Sequence, residues 1–177
     1  MKPQLSLRDL FWLLLVVAMG CAWWVDKSQQ SWLGTPRLRH TGAELDIGIV
    51  GRGYLRVTNA TSEQTLYTRR GNLSLNPSGQ LCLVRPDGEW LVEPVVTISD
   101  DASTIEISTE GFVRMHFLKD EAIEVGQLQL ETFMNPSALR EVHDGLYATT
   151  EACSDPIVKS PGENGAGSIR QYWLEKF

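Results

Sequence analysis

Three histidines, His40, His116 and His143, are the candidates for a general base in this 177-residue chain. A nucleophilic triad needs a base oriented by a carboxylate, with a Ser or Cys in hydrogen-bond reach. Asp144 directly follows His143, but adjacency in sequence does not supply that geometry. His40 lies in a polar stretch and His116 in the middle of a predicted strand, so all three are expected at the surface or at sheet edges. Asp100-Asp101 opens no calcium loop, because no third carboxylate follows at alternate spacing, and reads as a turn. Gly51-Arg52-Gly53 lacks the helix N-terminus that a phosphate loop needs after it; it is read as a turn that uses positive φ. Arg69-Arg70 reads as solvated turn charge, with contact to an acidic partner as the second reading. Cys21, Cys82 and Cys153 offer no Cys-x-x-Cys zinc spacing. Cys82 and Cys153 could pair if the body is extracytoplasmic, but nothing in their spacing demands it, and unpaired thiols are the preferred reading. No catalytic residue, no cofactor site and no metal ligand is expected.

The elements that would position any such residues are short. From Glu44 onward, turn signals follow one another closely: Gly51 with Gly53, Arg70-Gly71, Asn76-Pro77-Ser78-Gly79, Pro86-Asp87-Gly88, Asp100-Asp101 and Glu110-Gly111. Between them lie runs rich in β-branched and aromatic residues, which predict strands at 45–50, 54–58, 65–68, 73–75, 81–84 and 95–98. Thr104–Ser108 alternates strictly and pairs with 112–117 as a hairpin. Residues 125–133 alternate again, with Leu128, Leu130 and Phe133 pointing inward. Asn135-Pro136 stops that strand, Ser137–Val142 is expected as one helical turn, 151–168 as a loop, and 169–175 as a last strand closing the sheet. The fold class is therefore all-β: a small, partly closed barrel or sandwich of short antiparallel strands whose edges need cover.

A different composition precedes it. Leu10–Val25 carries no charge, and Trp12, Trp23, Trp24 and Trp32 cluster around it as interfacial rings do. As a helix it would span about 24 Å, somewhat short of the ~30 Å hydrocarbon core. An uncleaved signal anchor is preferred. A cleaved signal peptide, a lipoprotein signal ending at Cys21 and a buried core helix compete with it. Lys2 and Arg8 place the N-terminus inside, although Arg37, Arg39 and His40 weaken that orientation. The expected organisation is a cytoplasmic stub (1–9), a transmembrane anchor (10–25), a linker (26–43) and a β domain (44–177). The net charge of -6 excludes an electrostatic nucleic-acid footprint.

The blocks within the body resemble a known family. Asp46, Gly51, Gly53, Tyr54 and Val57 match a strand pair that opens the middle domain of the bacterial flagellar hook and basal-body rod proteins, its distal-rod branch most of all. Tyr67, Thr68, Arg69, Gly71, Leu75, Asn76, Gly79, Gln80 and Leu81 resemble the segment that follows it there. Gly126, Gln127, Leu128, Leu130, Phe133, Asn135, Pro136 and Leu139 are similar to a later strand and turn. Gly145, Leu146, Tyr147 and Thr150, and then Gly165, Gly167, Ile169, Gln171, Leu174 and Glu175, match the last two blocks. The resemblance implies an axial structural protein that packs laterally against rod or hook subunits or against itself, with no small-molecule substrate. The family's paired terminal helices, which build the inner tube, have no counterpart here: an apolar anchor is expected at the start and the chain ends at Phe177. Two rivals stay open. One is a tethered scaffold or adhesion domain unrelated to motility. The other is an enzyme or ligand carrier using the barrel interior, which the apolar character of Ile105, Ile107, Leu128 and Leu130 opposes.

Overall fold

The computed structural model describes residues 37–119 and 121–176. The stub at 1–9, the anchor at 10–25 and most of the expected linker lie outside the described residues. Among the described residues, no helix is long and apolar enough to cross a membrane.

The body is all-β. Its largest sheet grows from a pair that the sequence marks clearly, β3 (Leu55–Asn59) and β4 (Thr65–Thr68), joined antiparallel with Leu55 opposite Thr68. Leu55 and Val57 alternate inward from β3, while Arg56 points out. Glu63 turns this hairpin with a φ of 56°, and the Asn59 side chain accepts the Thr61 and Ser62 amides. With β5 (Ser74–Leu75), β6 (Leu81–Arg85), β7 (Gly88–Glu93), β12 (Arg140–His143) and β13 (Leu146–Ala148), the sheet runs β12-β13-β4-β3-β7-β6-β5. A second sheet is β10-β9-β8, built from β8 (Thr104–Ile107), β9 (Phe112–His116) and β10 (Ile123–Gln127). Three two-stranded ribbons complete the body. They pair β1 (Leu38–His40) with β16 (Trp173–Glu175), β2 (Ile47–Val50) with β15 (Ser168–Gln171), and β11 (Leu130–Thr132) with β14 (Ile157–Lys159).

No sheet closes into a barrel. Four of the five sheets instead share one apolar core in which Ile47, Ile49, Leu55, Val57, Leu66, Leu81, Val92, Val113, Leu128, Leu130, Leu146 and Ile169 have no exposed surface. At roughly 1.5–3 kcal/mol for each large aliphatic side chain, this shared burial holds to the larger sheets two-stranded ribbons too small to stand alone. Side chains, not closure, seal one exposed edge. The Ile105 amide of β8 donates to Glu44 Oε1 at 2.6 Å and the Ile107 amide to Gln171 Oε1 at 3.0 Å, while Gln171 Nε2 returns a bond to the Ile105 carbonyl at 2.8 Å.

Several elements differ from the sequence expectation. Leu38–His40, expected as linker, is a strand because β16 offers it a ladder. The predicted strand at 95–98 makes only an isolated pairing of Gln80 with Thr97, and the neighbouring strand is β7, whose Trp90 and Val92 are buried. The predicted strand 125–133 breaks after Gln127, since β10 and β11 belong to different sheets and a bulge lies between Glu124 and Gly126. The expected helical turn is a 3-10 turn at Pro136–Ala138 followed directly by β12. The expected loop 151–168 contains β14. The single last strand is two, because Tyr172, at φ 69°, swings the chain from one ribbon to another. Both body cysteines are free, Cys82 buried and Cys153 half-buried.

Gly71 illustrates how tightly the ribbons sit. Its carbonyl accepts the Ile47 amide at 2.9 Å, and a Cβ there would overlap the Ile47 carbonyl. Gly71→Ala is expected to cost about 2–3 kcal/mol through backbone displacement. Gly162→Ala, where a Cβ meets nothing within 4 Å and only the φ of 82° resists, should cost about 1 kcal/mol. Urea midpoints of the two variants check the difference.

Candidate functional site

The residues of the family-like blocks converge on a buried arginine. Arg69 ends the β4 segment and is 6% exposed. Its Nε donates to Glu175 Oε2 at 2.7 Å, Nη1 to the carbonyls of Gly51 and Gly53 at 3.0 and 2.8 Å, and Nη2 to the Ile49 carbonyl at 2.9 Å. This corrects the reading of Arg69 as solvated turn charge. The correction has a local cause. Gly51 and Gly53 adopt φ of 107° and 128°, so their carbonyls leave the ladder direction and need another donor. A planar guanidinium is the side chain that can serve several acceptors and a carboxylate at once. Arg70, by contrast, lies toward the surface and pairs with Asp144.

Around this node the other marked residues take definite places. Asp46 bridges Asn72 and accepts the Tyr172 amide at 2.7 Å. Gly167 packs on Gly51, where a Cβ on Gly51 would stand 2.9 Å from the Gly167 Cα, and donates its amide to the Arg52 carbonyl at 2.6 Å. Thr68 Oγ1 donates to the Gly145 carbonyl at 2.7 Å, tying β4 to the β12–β13 turn. Tyr54, Tyr67 and Tyr147 form an aromatic cluster with Phe133: Tyr54 meets Phe133 and Tyr147 edge-on at 5.9 Å, and Tyr67 meets Phe133 at 5.0 Å. The Arg69 guanidinium lies 5.9 Å from the Tyr54 ring centre. Burial pushes all three tyrosine hydroxyls above their ordinary pKa.

Six marked residues stand apart from the node. Asn76 Oδ1 accepts the Ser78 and Gln80 amides in the β5–β6 turn, and Gly79 in the same turn accepts the Ile98 amide. Gly126 sits at the β10 bulge against Val96, and Gln127 Nε2 donates to the Glu110 carbonyl. Asn135 accepts the Ser137 hydroxyl and Pro136 opens the 3-10 turn. The histidines are dispersed. His40 lies edge-on to Trp173 at 5.1 Å, His116 Nε2 faces Glu106 Oε2 at 2.9 Å on an exposed cross-strand pair, and His143 is exposed on β12. Among the described residues, no group of three His, Cys, Asp or Glu is placed to hold a metal ion. A pocket of about 150 Å³ lined by Arg56, Glu93, Pro94, Gln129, Glu131 and Val158 falls below the ~300 Å³ at which small-molecule sites begin.

Glu131 lies outside the blocks that sequence reading marked. It is 4% exposed on β11, bridged to Tyr54 through the backbone, with Arg56 Nη1 3.7 Å from its Oε1. Burial raises its pKa, partly offset by Arg56 and Tyr67. The sequence gives no signal for it: the alternation that turns Leu130 inward turns Glu131 outward, and it is buried because both faces of β11 are covered.

Two outcomes follow from these buried charges. Arg69→Ala removes the partner of Glu175 and of three carbonyls and is expected to cost about 3–5 kcal/mol in urea unfolding. Because the folded-state pKa of Glu131 is raised, the native state holds the proton more firmly than the unfolded chain. Stability is then lost as pH rises from the ordinary glutamate value of about 4.3 through the raised folded value, and stays constant above it. Glu131→Gln should therefore be more stable than the parent at neutral pH, with the gap shrinking toward pH ~4; paired unfolding curves at both pH values read it.

Comparison with known proteins agrees with this geometry. Residues 48–115, which hold the node's glycine turn and Arg69, match the family described as the flagellar hook protein FlgE/F/G D1 domain. The chain is 38% identical over 143 residues to the flagellar basal-body rod protein FlgG of Caulobacter vibrioides, a match covering 80% of this chain and 52% of the relative. It is 30% identical over 145 residues to FlgG of Bacillus subtilis, covering 80% and 53%. Against the flagellar hook protein FlgE of Caulobacter vibrioides, identity is 29% over 79 residues, or 45% of this chain and 13% of that one. The chain thus spans about half the length of the rod relatives it matches. Through this D1-type β body, the chain belongs to the flagellar hook–basal-body rod family.

Proposed function

We propose that the chain is a structural component of the flagellar basal body, or a membrane-tethered protein associated with it, that supports motility by packing against rod or hook subunits or against copies of itself. The observation that carries this reading is that the rod-like blocks fold into one body through the Arg69 node, with the family likeness running over 80% of the chain. Such a body works by shape and surface and needs no cofactor or catalytic group. Its contacts would come from strand edges and exposed apolar side chains. Met134 at 79% exposure stands out, as do Ile157 and Val158 on the edge strand β14. Leu10–Val25 is read as a single-pass anchor in the inner membrane, with residues 1–9 in the cytoplasm and the body in the periplasm, so that the rod would be met from the membrane side. The motif glycines and Asp46, Asn76, Asn135 and Pro136 act in this reading as turn-formers, not as contacts.

Basal bodies purified from the source cell and probed with antibody against this chain test the proposal. Co-purification at a fixed ratio to the rod subunits is the expected result. Recovery of the chain only in the membrane fraction would leave a tethered scaffold unrelated to the flagellum. A Met134→Asp, Ile157→Asp double variant should change folding stability by no more than about 0.5 kcal/mol, as surface substitutions do. Its recovery in basal bodies should nevertheless fall about tenfold, a loss worth 1.4 kcal/mol at one contact.

A further inference from the structure

The ribbon of β1 and β16 carries a charge pattern unlike the rest of this acidic chain. In its register Leu38 opposes Glu175, Arg39 opposes Leu174 and His40 opposes Trp173, and the Lys176 amide donates to the Arg37 carbonyl at 2.8 Å. Opposed residues of an antiparallel pair share a face, and faces alternate along each strand. Leu38, His40, Trp173 and Glu175 therefore share one face. Most of that face meets the body, His40 excepted: Leu38 touches Gly48, Glu175 binds Arg69, and Arg170 reaches over the Trp173 ring at 5.6 Å. The opposite face presents Arg37, Arg39 and Lys176 around Leu174. All three cations are exposed, and no carboxylate of the described residues pairs with them. Tyr172, exposed at the head of β16, adds a ring with a polar tip.

We infer that this outward face of the β1–β16 ribbon docks on the anionic headgroups of the membrane. The inference rests on the reading of Leu10–Val25 as an anchor. Three observations select the membrane as occupant. Three cations with Leu174 and Tyr172 make the basic-plus-amphipathic surface that anionic interfaces attract. The chain between the apolar segment and the ribbon is short: residues 26–36 reach at most about 40 Å extended and about 18 Å as a flexible coil. In sequence β1 follows that stretch directly, so on the anchor reading this face has the shortest tether to the bilayer. The Arg69–Glu175 pair takes the β16 carboxylate to the other side, leaving the outward face with a single sign.

The full chain in vesicles containing phosphatidylglycerol provides the test, with Tyr172→Cys carrying a nitroxide and Cys21 and Cys153 replaced by Ser. The expected result is a label shielded from an aqueous nickel chelate and reached by lipid-dissolved oxygen. That shielding should be lost in phosphatidylcholine vesicles, in 0.5 M salt, and in the Arg37→Glu, Arg39→Glu, Lys176→Glu variant, where the docked-to-free ratio should fall on the order of 100-fold. Near-UV dichroism of that variant should match the parent, since none of the three side chains is buried. A label equally open to water in every vesicle, while the chain floats with the lipid, overturns the docking and leaves the anchor standing. A chain that does not float overturns both. Shielding that persists on phosphatidylcholine and grows with the protein-to-lipid ratio overturns the lipid assignment, with an acidic protein surface in its place.

Discussion

A guanidinium buried under the surface is the constraint on which this body depends. Arg69 satisfies carbonyls at positions 49, 51 and 53, all on the strand and turn that precede it, and a carboxylate 106 residues later. Removing a charge from water costs several kcal/mol unless it is paired and hydrogen-bonded. Here four of the five N–H groups are used, so the charge is tolerated only when the glycine turn, the β4 segment and the last strand have all reached their places. That makes the node a check on correct assembly of the fold, since a misregistered β16 would leave an unpaired ion in the interior.

The apolar core answers a different need. Each sheet here is too small to bury both of its faces, and strands of two to six residues give few ladder bonds. What unites most of them is a common interior, to which Ile47 and Ile49 come from β2, Ile169 from β15 and Leu130 from β11, while the β1–β16 ribbon is joined through the Glu175–Arg69 pair. The apolar interior supplies most of the free energy and the polar node most of the specificity. Loss of a core methyl weakens such a body, whereas loss of the node permits alternative arrangements of the same strands.

How much of this could be read from the sequence follows from the range of the interactions involved. Alternation in Thr104–Ser108 and the hairpin after it are local facts, and the structure has them. The turn at Gly51-Arg52-Gly53 is local too, and its positive φ values agree with the reading. The register of β16 is not local. Residues 169–175 look continuous because every residue in them suits a strand, and only the partners on either side decide that Tyr172 must turn. Arg69 was legible as part of a family-like block but not as buried, since nothing within its own stretch names the carbonyls and the carboxylate that make burial possible. Strand β7 was hidden between Glu89 and Glu93, whose charges mask the inward period of Trp90 and Val92. Of the expected partly closed barrel or sandwich, the all-β body is present and the closure is not, for a related reason: short strands with turns every few residues can close only if their edges pair. Here the β8 edge is capped instead by Glu44 and Gln171, two side chains whose roles depend on tertiary neighbours.

The division between interior and surface bears on how such a body can serve in an assembly. Several of its buried and half-buried polar side chains are committed to internal partners: Arg69 to the turn, Thr68 to Gly145, Gln171 to the β8 edge. Among what remains outward are apolar side chains on the β14 edge and cations on the β1–β16 ribbon. These lie on different ribbons and so can be engaged at the same time without competing. On the proposed reading, a subunit built this way would hold a protein neighbour by packing and a charged surface by electrostatics, the first insensitive to salt and the second weakened by it.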